Sequence, residues 1–142
     1  MIRIVRHITI LLLCAFLPCS CVRTPNKMIK AAFSIDIKDI NYTLVEKVER
    51  WTINGDGNCF LRLSLKETSK EELDLLKNRM ISLGASQLPI EENLMVVNYA
   101  NNMANQTFKR GWYLLLTPNW DDSRLLILDE ENKELITCYI IM

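Results

Sequence analysis

Asn54-Gly55-Asp56-Gly57 sets an Asn-Gly and an Asp-Gly pair back to back between two strand-like runs. Glycine reaches the positive φ of a tight hairpin turn without steric cost, so the tetrapeptide folds the chain back on itself. Strands joined in this way run antiparallel, and the fold is directed toward hairpins rather than parallel crossovers. The run before the turn is read as a strand from Leu44 to Ile53, although Ile40, Leu44, Val45 and Val48 also suit a helical face. After the turn, Cys59, Leu61, Leu63 and Leu65 fall on one face and Asn58, Phe60, Arg62 and Ser64 on the other. That alternation describes a half-buried strand with Cys59 inward.

Ser69-Lys70-Glu71-Glu72 is a capping box, in which the Ser69 hydroxyl takes the Glu72 amide and the Glu72 carboxylate reaches back. A helix is predicted to start there. Leu73, Leu76, Met80 and Leu83 form its apolar stripe, and Gly84 stands where a left-handed terminator belongs. Period-two alternation in Phe33-Ser34-Ile35-Asp36-Ile37 predicts a short strand, and another is placed at Leu94 to Tyr99. Gly111 to Leu116, Arg124 to Leu128 and Leu135 to Met142 complete the strands, the last two joined by the polar turn Glu130-Glu131-Asn132-Lys133. The expected fold is α+β: a mostly antiparallel sheet of about four to six strands with one main amphipathic helix on one face.

The N-terminus belongs to a different regime. Arg3 and Arg6 precede Ile8 to Leu17, an apolar run broken only by Thr9 and closed by Pro18. At ~1.5 Å per residue a helix of this length covers about half of a ~30 Å hydrocarbon core, too little for a transmembrane anchor. A cleaved secretory signal over residues 1–20 fits better. Residues 21–30 then form a tether and 31–142 one domain. Cys21 follows the small Ser20, with Cys19 as the alternative, and here the chain resembles bacterial lipoproteins, whose lipidated first residue is such a cysteine. The Gly-Asp-Gly and C-terminal hairpins strengthen the likeness to small uncharacterised members of that group. The resemblance implies export and a lipid anchor in the cell envelope, the alternative being a soluble periplasmic or secreted protein, and it implies no activity.

Charge and residue type narrow the chemistry. The formal net charge is zero over 142 residues, but residues 21–142 carry two more acids than bases. No concentrated basic stretch appears, so a nucleic-acid partner is not expected. The one histidine, His7, lies in the signal. A mature domain without imidazole lacks the usual activator of serine and cysteine nucleophiles and the commonest metal ligand. No metal, cofactor or catalytic residue is expected. Asn54, Asp56 and Asn58 begin like a calcium loop, yet Leu65 stands where the loop needs glutamate.

Two groupings remain. Trp112, Trp120, Asp121 and Asp122, beside Tyr113, offer an aromatic and acidic patch for a protein partner, while core packing of Trp112 is the plainer reading. Cys59 and Cys138, each among aliphatic residues on one strand face, are expected to be buried on the same inward side of the sheet and close enough for a disulfide. The leading functional expectation is a non-catalytic, envelope-tethered binding module, such as an immunity-type inhibitor or an accessory subunit. A structural lipoprotein is one alternative. A carboxylate-only enzyme on cell-wall or glycan substrates is another, with Glu46, Glu49, Asp56, Asp121 and Asp122 as acids by type alone.

Overall fold

The computed structural model describes residues 23–118 and 122–142. In chain order the elements are α1 (Pro25–Phe33), β1 (Thr43–Trp51), β2 (Gly57–Ser64), α2 (Lys70–Ser82), β3 (Ser86–Gln87), α3 (Met95–Ala104), β4 (Gly111–Leu116), β5 (Asp122–Asp129) and β6 (Glu134–Ile141). The strands form one antiparallel sheet in the order β1-β2-β6-β5-β4-β3. The α+β class and the antiparallel sheet are as the turn and cap signals required.

Register sorts the side chains onto two faces. Leu61, Leu63, Leu126, Leu128 and Leu135 project toward Ile29 and Phe33 of α1 and Leu76 and Met80 of α2. Phe60, Leu125, Ile127, Ile136 and Cys138 project the other way, against Val96, Val97, Ala100 and Ala104 of α3. The sheet is therefore covered on both sides, where a single helix on one face was expected. Leu125 to Leu128 are all buried as a consequence, with no polar residue alternating between them.

Two segments depart from their expected secondary structure. Residues 95–99 belong to α3, with Leu94 at its N-cap, because the stripe of Val96, Val97, Ala100 and Ala104 recurs at helical spacing once Ala100 and Ala104 are counted. The β-branched pair suggested a strand only within a window that ended at Tyr99. Residues 25–33, assigned mostly to the tether, form α1: the Thr24 hydroxyl accepts the Lys27 amide at 3.3 Å, Pro25 occupies the first turn, and Met28, Ile29 and Phe33 are buried. The alternation of Phe33, Ile35 and Ile37 does bury all three, but Phe33 ends α1 and Ile35 and Ile37 lie in the unpaired loop after it. There the Ile37 amide donates to Asn26 Oδ1 at 2.6 Å.

The capping box of α2 forms as read, with Ser69 N–H donating to Glu72 Oε2 at 2.8 Å and Glu72 N–H donating to Ser69 Oγ at 3.2 Å. Gly84 follows the helix at φ +92°. Gly111 opens β4 at φ +135°, where a Cβ would lie 1.9 Å from the Leu128 carbonyl oxygen, so this close approach admits only glycine.

Candidate functional site

The hairpin turn at residues 52–56 defines one end of the sheet. Gly57 and Ile141 pair there, and β5 begins alongside at Asp122. At this end α1 and the strand ends border an open cavity of about 490 Å³ lined by Arg23, Lys27, Met28, Ala31, Ala32, Trp51, Arg124, Tyr139 and Ile141. Its size falls within the ~300–1,000 Å³ typical of small-molecule sites.

Each wall has a local cause. Gly57 has no Cβ, and one built there would stand 2.5 Å from Trp51 Cε3, so the glycine is what lets the indole lie across the strand pair. The indole reaches Tyr139, ring centres 6.0 Å apart and planes tilted by 37°. Arg124 pairs in register with Tyr139 and so emerges on the α1 face, where its Nη1 donates to the Ala32 carbonyl at 3.2 Å. Lys47 Nζ donates to the Arg23 carbonyl at 3.0 Å, fastening the chain entering α1 to β1.

Arg23, Lys27 and Arg124 make no ion pair with a carboxylate among the described residues, and no carboxylate lines the cavity. Glu49, on the same face of β1, is held by Lys47 at 3.5 Å. Three cations thus stand around an apolar and aromatic floor. Cys59 lies beneath this floor, opposite Tyr139. Burial pushes its thiol up to about 11, against a smaller opposing effect of the Tyr139 hydroxyl, so it stands as a neutral packing group. Tyr139 is likewise raised, by burial first and then by Cys59.

The sequence-derived candidates are distributed differently. Cys59 and Cys138 are both buried and both free thiols. They leave neighbouring strands on opposite faces, since Cys59 pairs with Tyr139 while Phe60 pairs with Cys138. The expected common inward side is thereby corrected: because both faces carry helices, an apolar strand face no longer identifies a single inside. Trp112 is half-buried against the core with Lys77 Nζ 5.3 Å over its ring. It pairs with Leu128, six residues and about 20 Å along β5 from Asp122, so these two do not form one patch. Cys19, Cys21, Trp120 and Asp121 lie outside the described residues.

The acids do not converge either. Glu46 pairs with Arg62 on the α3 face, Glu49 pairs with Cys59 on the α1 face, and Asp56 is exposed in the turn. Among the described residues no group of three or more His, Cys, Asp or Glu side chains is arranged to hold a metal ion. The densest polar cluster, at the opposite end of the sheet, is structural. Arg62 pairs bidentately with Glu134 at 3.0 and 3.1 Å, and Asp129 accepts the Glu131 and Asn132 amides of the β5–β6 turn at 3.0 and 3.2 Å.

Sequence reading missed the cavity because it draws on residues 23–32, 51, 124 and 139–141, which only the tertiary fold brings together. Two local hints existed: Arg124 is the one base of β5, set directly before the apolar run Leu125 to Leu128, and Trp51 directly precedes the turn. No family model, curated protein or solved structure matches the chain.

Proposed function

We propose that this chain is a non-catalytic binding module, held at the cell envelope through lipid on Cys21, whose ligand is an anionic amphiphile seated in the cavity beneath α1. The observation carrying the reading is the trio Arg23, Lys27 and Arg124, in no ion pair with a carboxylate among the described residues and set around Trp51, Tyr139, Met28 and Ile141. Gathered like charges repel one another, and an anion seated among them relieves that repulsion. The apolar floor favours an anion with a hydrophobic portion.

The test is titration with 1-anilinonaphthalene-8-sulfonate, an anionic aromatic probe, followed by displacement with decanoate. Saturable emission from the folded protein, weakened at least about tenfold in affinity by Lys27→Gln with Arg124→Gln, supports the reading; tenfold corresponds to about 1.4 kcal/mol, the scale of one or two charge-assisted hydrogen bonds. Binding unchanged in that variant, or none at all, refutes it.

A further inference from the structure

The end of the molecule that holds the cavity also carries the most exposed apolar side chain among the described residues. Ile53, in the β1–β2 turn, is fully exposed at 105% of its reference area. Trp51 beside it is 44% exposed and Met142, next to the Ile141–Gly57 pair, 57%. Folding gives no reason for an isoleucine at the tip of a hairpin, where turn chemistry selects small and polar residues. The bases at this end are Arg23, Lys27, Lys47, Arg50 and Arg124, against Glu49, Asp56 and Asp122 among the described residues, although residues 21–142 as a whole are acidic. The described chain begins here too. Cys21 stands two residues before Arg23 in the sequence.

We infer that this end docks on an anionic bilayer, with Ile53 and Trp51 entering the interfacial layer and Arg23, Lys27 and Arg124 meeting lipid headgroups, so that the amphiphile reaching the cavity comes from the membrane. The inference rests on the reading of Cys21 as the anchor. Three observations combine in it: an exposed aliphatic and aromatic tip, a cationic rim that matches an anionic surface, and a chain entry point that would hold the same end against the bilayer. An anchor alone leaves a domain free to tumble. A tip with a basic collar selects one orientation.

The experiment uses the mature protein purified from membranes and reconstituted into vesicles of phosphatidylcholine with or without phosphatidylglycerol, containing nitroxide-labelled lipid. A fluorophore is attached through Ile53→Cys or, as the control, through Glu131→Cys in the β5–β6 turn, about 26 Å away at the opposite end of β6. Both sites are exposed, so neither substitution disturbs packing. Docking predicts loss of emission at 53 and not at 131, only with phosphatidylglycerol, reversed by high salt and by Arg23→Gln with Lys27→Gln. Equal quenching at the two positions, or none at 53, overturns it. The mass of the mature N-terminus from the same preparation reads the anchor separately: an unmodified Cys21 refutes lipidation whatever the fluorophores report.

Discussion

Cys59 and Cys138 stand on neighbouring strands one register position apart, and their thiols leave the sheet on opposite faces, Cys59 toward α1 and Cys138 toward α3. A disulfide requires Cβ atoms about 4 Å apart with converging vectors, and one strand offset of one residue defeats this even between adjacent strands. Under oxidising conditions the two thiols therefore stay unpaired. Alkylation of the native protein should leave both unlabelled, because each is fully buried and burial raises each thiol's pKa, that of Cys59 to about 11. Peptide mapping after denaturation without reductant should find both alkylated; a Cys59–Cys138 linked peptide would contradict the register.

Thr137 pairs with Leu61 and Leu126 on the α1 face, and its buried Oγ1 has no hydrogen-bond partner. A buried hydroxyl without a partner costs ~1–3 kcal/mol. Valine matches the shape and removes the hydroxyl, so Thr137→Val should raise unfolding stability by about 1 kcal/mol in urea titration. A loss of stability would mean that the hydroxyl is bonded.

Leu76 and Met80 are the α2 side chains buried against the α1-face core, whereas Leu75 on the same helix is 40% exposed. Truncation of Leu76 or Met80 to alanine should cost ~2–5 kcal/mol, and Leu75→Ala under about 1 kcal/mol. Equal losses at positions 75 and 76 would contradict the helix orientation.

Acid sensitivity follows from three surface carboxylates. Asp36 is held down to about 2, first by the Lys38 amide and then by Lys30; Asp39 is lowered chiefly by Arg79, and Glu72 by the Ser69 amide. Folded values below the unfolded ones mean that this stabilisation is complete above the ordinary carboxylate range, near ~4, and is lost as pH falls through the folded values. The melting temperature should therefore fall between about pH 5 and pH 2. Arg79→Gln, which removes the paired 2.7 Å contacts to Asp39, should flatten part of that fall. An unchanged pH profile would exclude the pair as a contributor.

Gly57→Ala should unsettle the cavity without removing any of its charges. The added Cβ would stand 2.2 Å from the Arg50 carbonyl oxygen and 2.5 Å from Trp51 Cε3. Strand and indole must then shift, and probe affinity should fall together with stability. Undiminished anilinonaphthalene sulfonate binding in a folded Gly57→Ala protein would show that the indole position is immaterial.

What the sequence determined alone were the features encoded within a few residues. Asn54 to Gly57 and Glu130 to Lys133 specify their hairpins because turn geometry depends on local φ, and Ser69 with Glu72 starts α2 because a capping box closes within one helical turn. The antiparallel sheet and the α+β class follow from these pieces. Tertiary structure alone decided which strand faces count as inside. Val96 and Val97 join a helix because Phe60, Ile127 and Ile136 offer an apolar surface for α3 to cover, and Met28, Ile29 and Phe33 draw residues 25–33 out of a tether and onto the opposite face. The cavity belongs to the same category: Arg23, Trp51, Arg124 and Tyr139 are far apart along the chain and meet only because strand order sets β1, β2, β6 and β5 side by side beneath α1. Burial of a long-range surface is a property of the assembled layers, and no window of sequence contains it.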